Sequence, residues 1–156
     1  LSRMMQSLGR RYVAAFNRRH GRSGALWGGR FRATAVEAET LLLPCMAYVE
    51  LAPVRAGVAH GAERHRWSSA RHHLGLAPDA RVTDHALYWA LGNTPFEREA
   101  AHRELLDRGL GEGQLQGIAA AAAKGWALGS PAFAMSLAER AGRRVLPARR
   151  GRPPKQ

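Results

Sequence analysis

The side chains able to do chemistry cluster unevenly along these 156 residues. One stretch, Tyr48-Val49-Glu50-Leu51-Ala52-Pro53-Val54-Arg55-Ala56-Gly57, puts a phenol, a carboxylate and a guanidinium within eight positions. A tyrosine hydroxyl has an ordinary pKa of about 10, so it needs help to act at neutral pH. On an amphipathic helix a tyrosine is more often a core or rim aromatic. His60, His65, His72 and His73 lie downstream. Their spacing fits no zinc pattern and no paired cysteines accompany them, so solvated histidines are the expectation. The single Cys45 cannot form an internal disulfide and reads as a structural thiol on an apolar helix face.

Arginine is the other chemical signal. The chain carries 22 Arg, 2 Lys and a formal net charge of +12. Residues 1–36 hold eight Arg and no acid, and residues 140–156 hold seven basic residues and no acid. The stretch 37–139 has nine basic against 12 acidic residues. Two separated acid-free ends suit a polyanion, and nucleic acid is the expected partner. No apolar run approaches the roughly 18 residues of a membrane span. The N-terminal segment has no signal-peptide h-region. A cytoplasmic setting is expected.

The elements follow from periodicity and punctuation. Leu1, Met4, Met5, Leu8, Tyr12 and Phe16 recur at helical spacing, predicting a helix to about Arg19 with a break at His20-Gly21. Arg10, Arg11, Arg18 and Arg19 fall largely off that stripe and are candidate phosphate contacts. Asn17 is expected to cap the following turn, and Trp27 to anchor a Gly21–Gly29 loop. From Arg30 to Val36 the residues alternate, with Arg30 and Arg32 on one side, which predicts a strand with a basic face. Such a strand cannot stand alone, because its backbone groups need partners.

Next comes the helix that carries Tyr48, with Thr40 as expected N-cap, Pro44 near its first turn, and Pro53 as its end. Gly57 can close the next turn in the left-handed conformation. Ser68 is a candidate cap for a short helix after Trp67. Beyond Pro78-Asp79 four helices are predicted: Thr83-Asp84 through Leu91; Thr94-Pro95-Phe96-Glu97, a capping-box arrangement, to about Gly109; Glu112–Lys124; and Pro131 to Ala141, capped by Ser130 and stopped by Gly142. A helix-turn-helix remains open for residues 112–141, although the first of those helices has one Lys and no Arg. The end, Arg149-Arg150-Gly151-Arg152-Pro153-Pro154-Lys155, is similar to an AT-hook, whose arginines favour a narrow minor groove.

The stretch 48–57 resembles a block of the single-tyrosine HUH transposases, specifically the REP-associated tyrosine transposases. Three more blocks agree in order and spacing: Phe16-Asn17-Arg18-Arg19-His20-Gly21, Leu26-Trp27-Gly28-Gly29-Arg30-Phe31, and Trp67-Ser68-Ser69-Ala70-Arg71. The resemblance is strongest over residues 1–75. It implies an α+β fold, mostly helical in this chain. A partial ferredoxin-like domain with one or two strands (1–75) would precede a helical extension (76–142) and a disordered basic tail (143–156). It implies that Tyr48 corresponds to a nucleophile that cleaves single-stranded DNA at palindromic hairpins through a 5′-phosphotyrosine link, with Mg²⁺ or Mn²⁺ polarising the phosphate.

That metal is held in the family by a His-hydrophobic-His pair and a polar residue one turn after the tyrosine. Here the latter position is Ala52, Glu50 falls on roughly the opposite side of the helix, and no His-x-His pair occurs. The chain therefore resembles a C-terminal portion, expected to bind DNA through Arg10, Arg11, Arg18, Arg19, Arg30, Arg32, Arg55, Arg150 and Arg152, but not to hold the metal well or transfer strands by itself. The alternative is a non-catalytic DNA-binding or regulatory protein.

Overall fold

A computed structural model describes residues 1–29, 31–142 and 144–147. Arg30, Arg143, Arg150 and Arg152 lie outside the described residues, as does the AT-hook-like end. The chain is mostly helical (58%), with no sheet among the described residues. It divides into two compact units, Leu1–Ala33 and Thr34–Gln156.

The first unit is built on α1 (Ser2–Arg19). The helix ends at His20, whose N–H donates to the Phe16 carbonyl, and Gly21 then takes a left-handed φ of 59°. Asn17 Nδ2 reaches the Gly24 carbonyl at 2.9 Å and folds the following loop back, the turn-tying role expected of it. Trp27 stacks on Tyr12 at 5.8 Å between ring centroids while remaining exposed, so it anchors the loop without being buried.

The second unit begins where a strand was expected. Val36 instead makes an isolated parallel bridge with Leu128. The Leu128 N–H donates to the Ala35 carbonyl and the Glu37 N–H to the Leu128 carbonyl. Alternation alone could not build a strand, because the partner backbone offers pairing over only this short span.

α2 (Ala38–Glu50) starts a turn earlier than the expected Thr40 cap. Glu37 occupies the N-cap, and its carboxylate accepts from Ser130 N–H at 2.7 Å and Ser130 Oγ at 2.8 Å. Those bonds hold the Glu37 carboxyl below the usual carboxylate range, the backbone bond having the largest effect. The early start puts Pro44 inside α2, not in its first turn, and leaves the Thr40 carbonyl without its helical donor.

Pro53 does not end α2 directly. α2 stops at Glu50, Leu51 is the hinge, and Pro53 sits in the first turn of α3 (Ala52–Arg55), where its missing N–H is not needed. Gly57 follows at φ 67°, as expected.

A single 3-10 turn (Ala62–Arg64) leads to α4 (Ala70–His73). Ser68 Oγ accepts from the Ala70 N–H, although Ser69 is the residue at the cap. α5 (Ala86–Trp89) is shorter than expected and is capped by His85, whose Nδ1 accepts from the Leu87 N–H. α6 (Pro95–Arg108) carries the full Thr94/Glu97 capping box and ends at Gly109. α7 (Glu112–Lys124) and α8 (Pro131–Ala141) take the expected bounds, closed by Gly125 and Gly142 in left-handed conformations.

The core joins Ala47 of α2, Ala62, Ala70 of α4, Leu74 and Leu106 of α6, with Leu51, Leu105 and Leu110 packed against it. It therefore draws on residues from both sides of Pro78. Val145 is buried and its carbonyl accepts from the Ala127 N–H, so ordered packing continues past residue 143, where a disordered tail was expected to begin.

Candidate functional site

Tyr48 lies near the C-terminal end of α2, half-buried, with Val49 beside it exposed. The break at Leu51 frees carbonyls in the last turn of α2, and Arg55 answers one of them. Its Nη2 donates to the Tyr48 carbonyl at 2.6 Å, and its guanidinium lies 4.2 Å over the Tyr48 ring. A basic side chain on the last carbonyls of a helix is favoured by the partial negative charge there. Tyr48 and Arg55, singled out separately in the sequence, thus form one unit.

The residues around Tyr48 do not fit a divalent cation. The position one helical turn on is Ala52, which offers no ligand atom, and a fixed guanidinium already covers one face of the ring.

On the other side of α2, two residues from Tyr48, Glu50 is 1% exposed. Its Oε1 lies 2.6 Å from His73 Nδ1 of α4 and accepts from Ser69 Oγ at 2.6 Å. Its Oε2 lies 2.7 Å from His102 Nε2 of α6. Burial is the largest influence on this carboxyl and opposes ionisation. The hydrogen bonds from His102, His73 and Ser69, with the charge of His102, outweigh it and lower the pKa to about 2. An ionised carboxylate only accepts, so His73 Nδ1 and His102 Nε2 carry the protons of these bonds.

The cluster continues outward. His73 Nε2 is 3.5 Å and His72 Nε2 3.3 Å from Asp84 Oδ1. His72 Nδ1 accepts from the Asp79 N–H, which fixes its proton on Nε2. Tyr88 of α5 closes the assembly, its ring 4.9 Å from that of His73 and its hydroxyl donating to the His73 carbonyl at 2.9 Å. Asp84 Oδ1 and His102 Nδ1 are buried without a hydrogen-bond partner.

This arrangement corrects the expectation of solvated histidines. His60 is exposed, but His73 is 5% exposed and bonded to a buried carboxylate. His102, absent from the sequence candidates, is fully buried. The available signal was position within the helix: Arg98, His102 and Leu106 recur every four residues on the buried side of α6. A polar residue on an apolar stripe needs a partner, and that partner lies 52 positions away.

In the first unit Arg10, Arg11, Arg18, Arg19 and Arg32 are all exposed. Phe16 stacks between Tyr12 and His20 and carries the Arg22 guanidinium 5.8 Å from its centroid. Free arginines beside exposed aromatic rings can hold phosphates and bases respectively. Comparison with protein-family profiles, curated proteins and solved structures returns no match.

Proposed function

We propose that this chain is a DNA-binding portion of a protein like the REP-associated tyrosine transposases, with single-stranded or hairpin DNA as its ligand. The observation that carries the reading is the first unit's charge: eight arginines and no acid in residues 1–36, with the described arginines of α1 exposed. A surface of this kind gains affinity for a polyanion by releasing its counterions. The four motif blocks support the family and, with it, a partial ferredoxin-like domain; a cytoplasmic setting fits the composition and its single cysteine.

In this reading Tyr48 corresponds to the family's nucleophile but is inert in this chain. Arg55 holds its helix end, and Ala52 supplies no ligand one turn on. Those same two residues favour a second reading, a non-catalytic DNA-binding or regulatory protein that keeps the basic scaffold.

Incubating the chain with end-labelled hairpin DNA tests the proposal. The expected result is a complex that retains hairpin over blunt duplex and leaves no covalent adduct under denaturing electrophoresis. Equal retention of an acidic polypeptide and of the hairpin would overturn DNA as the ligand. An adduct that forms with this chain and disappears in Tyr48→Phe would overturn its inertness.

A further inference from the structure

We propose that Glu50, His73 and His102 form a zinc-type metal site that fastens α2 to α4 and α6, separate from any chemistry at Tyr48. One ligand atom from each residue lies within 4.8 Å of the other two, and all three residues are buried. Two imidazole nitrogens and one carboxylate oxygen are a donor set that suits Zn²⁺ and supplies three of its four tetrahedral positions. The three residues come from three helices, so a shared ion ties together segments that the chain alone separates by 23 and 52 positions from Glu50.

The proton positions support the assignment. With a proton on Nδ1 facing Glu50, a neutral His73 turns the bare lone pair of Nε2 toward Asp84 Oδ1, 3.5 Å away. That oxygen is buried and makes no well-aligned hydrogen bond, with His72 Nε2 3.3 Å away as its other neighbour. Metal on Nδ1 moves the ring proton to Nε2, where it is donated to Asp84. This is the carboxylate–histidine–metal arrangement that usually orients a ligating histidine. Ser69 Oγ steadies the Glu50 carboxylate from outside the ligand set.

Loading shifts the ring protons: the His73 Nδ1–H and His102 Nε2–H bonds break, the protons re-form on His73 Nε2 and His102 Nδ1, and two N–Zn bonds and one O–Zn bond replace bonds from the ion to water. No electrons are transferred. The contacts of 2.6 and 2.7 Å are those of the protonated, hydrogen-bonded state. Ligand atoms on a tetrahedral ion with bonds of ~2.0 Å stand roughly 3.3 Å apart, so the side chains spread slightly on loading. The competing arrangement has no metal and a second proton on His73, which then bridges Glu50 and Asp84.

The test uses protein purified without a metal-affinity tag and stripped with chelator. Zn²⁺ alone is titrated calorimetrically in buffers of different ionisation enthalpy, and Co²⁺ alone is followed by visible absorption. The site predicts one equivalent bound, no net proton release from the neutral rings, a raised melting temperature, and a Co²⁺ band of tetrahedral intensity. Asp84→Asn should weaken binding about ten- to a hundredfold. His60→Ala, at an exposed histidine, should bind unchanged. Should His102→Ala fail to fold, the Co²⁺ spectrum of the unaltered chain still decides. No stoichiometric binding, an octahedral Co²⁺ spectrum, or binding lost in His60→Ala would each overturn the proposal.

Discussion

Glu50 shows how one side chain can dominate a fold. Its burial would be strongly unfavourable if unpaired, yet three donors converge on it from Ser69, His73 and His102. Removing one partner of such a buried set leaves the others desolvated and unpaired. Glu50→Gln should therefore lower unfolding free energy by about 3 kcal/mol, measured by urea denaturation at pH 7. The pH dependence follows from the lowered pKa. Glu50 contributes stability that is present above its ordinary value of 4.5 and is lost as pH falls toward about 2. Denaturation curves between those limits should steepen their loss of stability on acidification in the unaltered chain, and Glu50→Gln should flatten that part of the profile. An identical acid profile in both proteins would mean the carboxylate is not held as described. None of this was readable from Glu50 alone, because its partners are set by tertiary packing and not by spacing.

Caps decide the element scale. Thr94, Glu97, Gly109, Ser130 and Gly142 punctuate the chain by local hydrogen bonding and positive-φ glycines, and α6 and α8 fall where those residues place them. The segment 30–36 was misread for the converse reason: strand pairing is non-local, and among the described residues only the Val36–Leu128 bridge satisfies it. The start of α2 moved for a mixed reason, since Glu37 takes the N-cap while its carboxylate is engaged by Ser130, 93 positions away. These distinctions have measurable consequences. Thr94→Ala removes one local cap and should cost about 1 kcal/mol in thermal or urea unfolding. Ser130→Ala removes the cap on Phe133 N–H and also the bond to Glu37 Oε1, so it should cost more than Thr94→Ala. Equal costs would show that the Glu37 contact adds nothing.

At the scale of the whole molecule, charge separates from packing. The acids gather in the unit that holds the buried Glu50 centre, while the first unit carries arginines and aromatic rings without an acid. The basic ends were legible because net charge is a property of composition. Deleting residues 148–156 keeps the packed Val145, removes Arg149, Arg150, Arg152 and Lys155, and should lower both DNA affinity and its dependence on salt. An unchanged salt slope would place the end away from the DNA.

The most direct measurement is hairpin-DNA affinity by fluorescence anisotropy across a series of salt concentrations, for the unaltered chain and for Arg10→Gln/Arg11→Gln/Arg18→Gln/Arg19→Gln. Each phosphate neutralised contributes about 0.7 to 0.9 to the slope of log K against log salt. The account predicts a steep negative slope that becomes shallower by about 3 in the fourfold variant. A slope near zero, or one that the four substitutions leave unchanged, would contradict it.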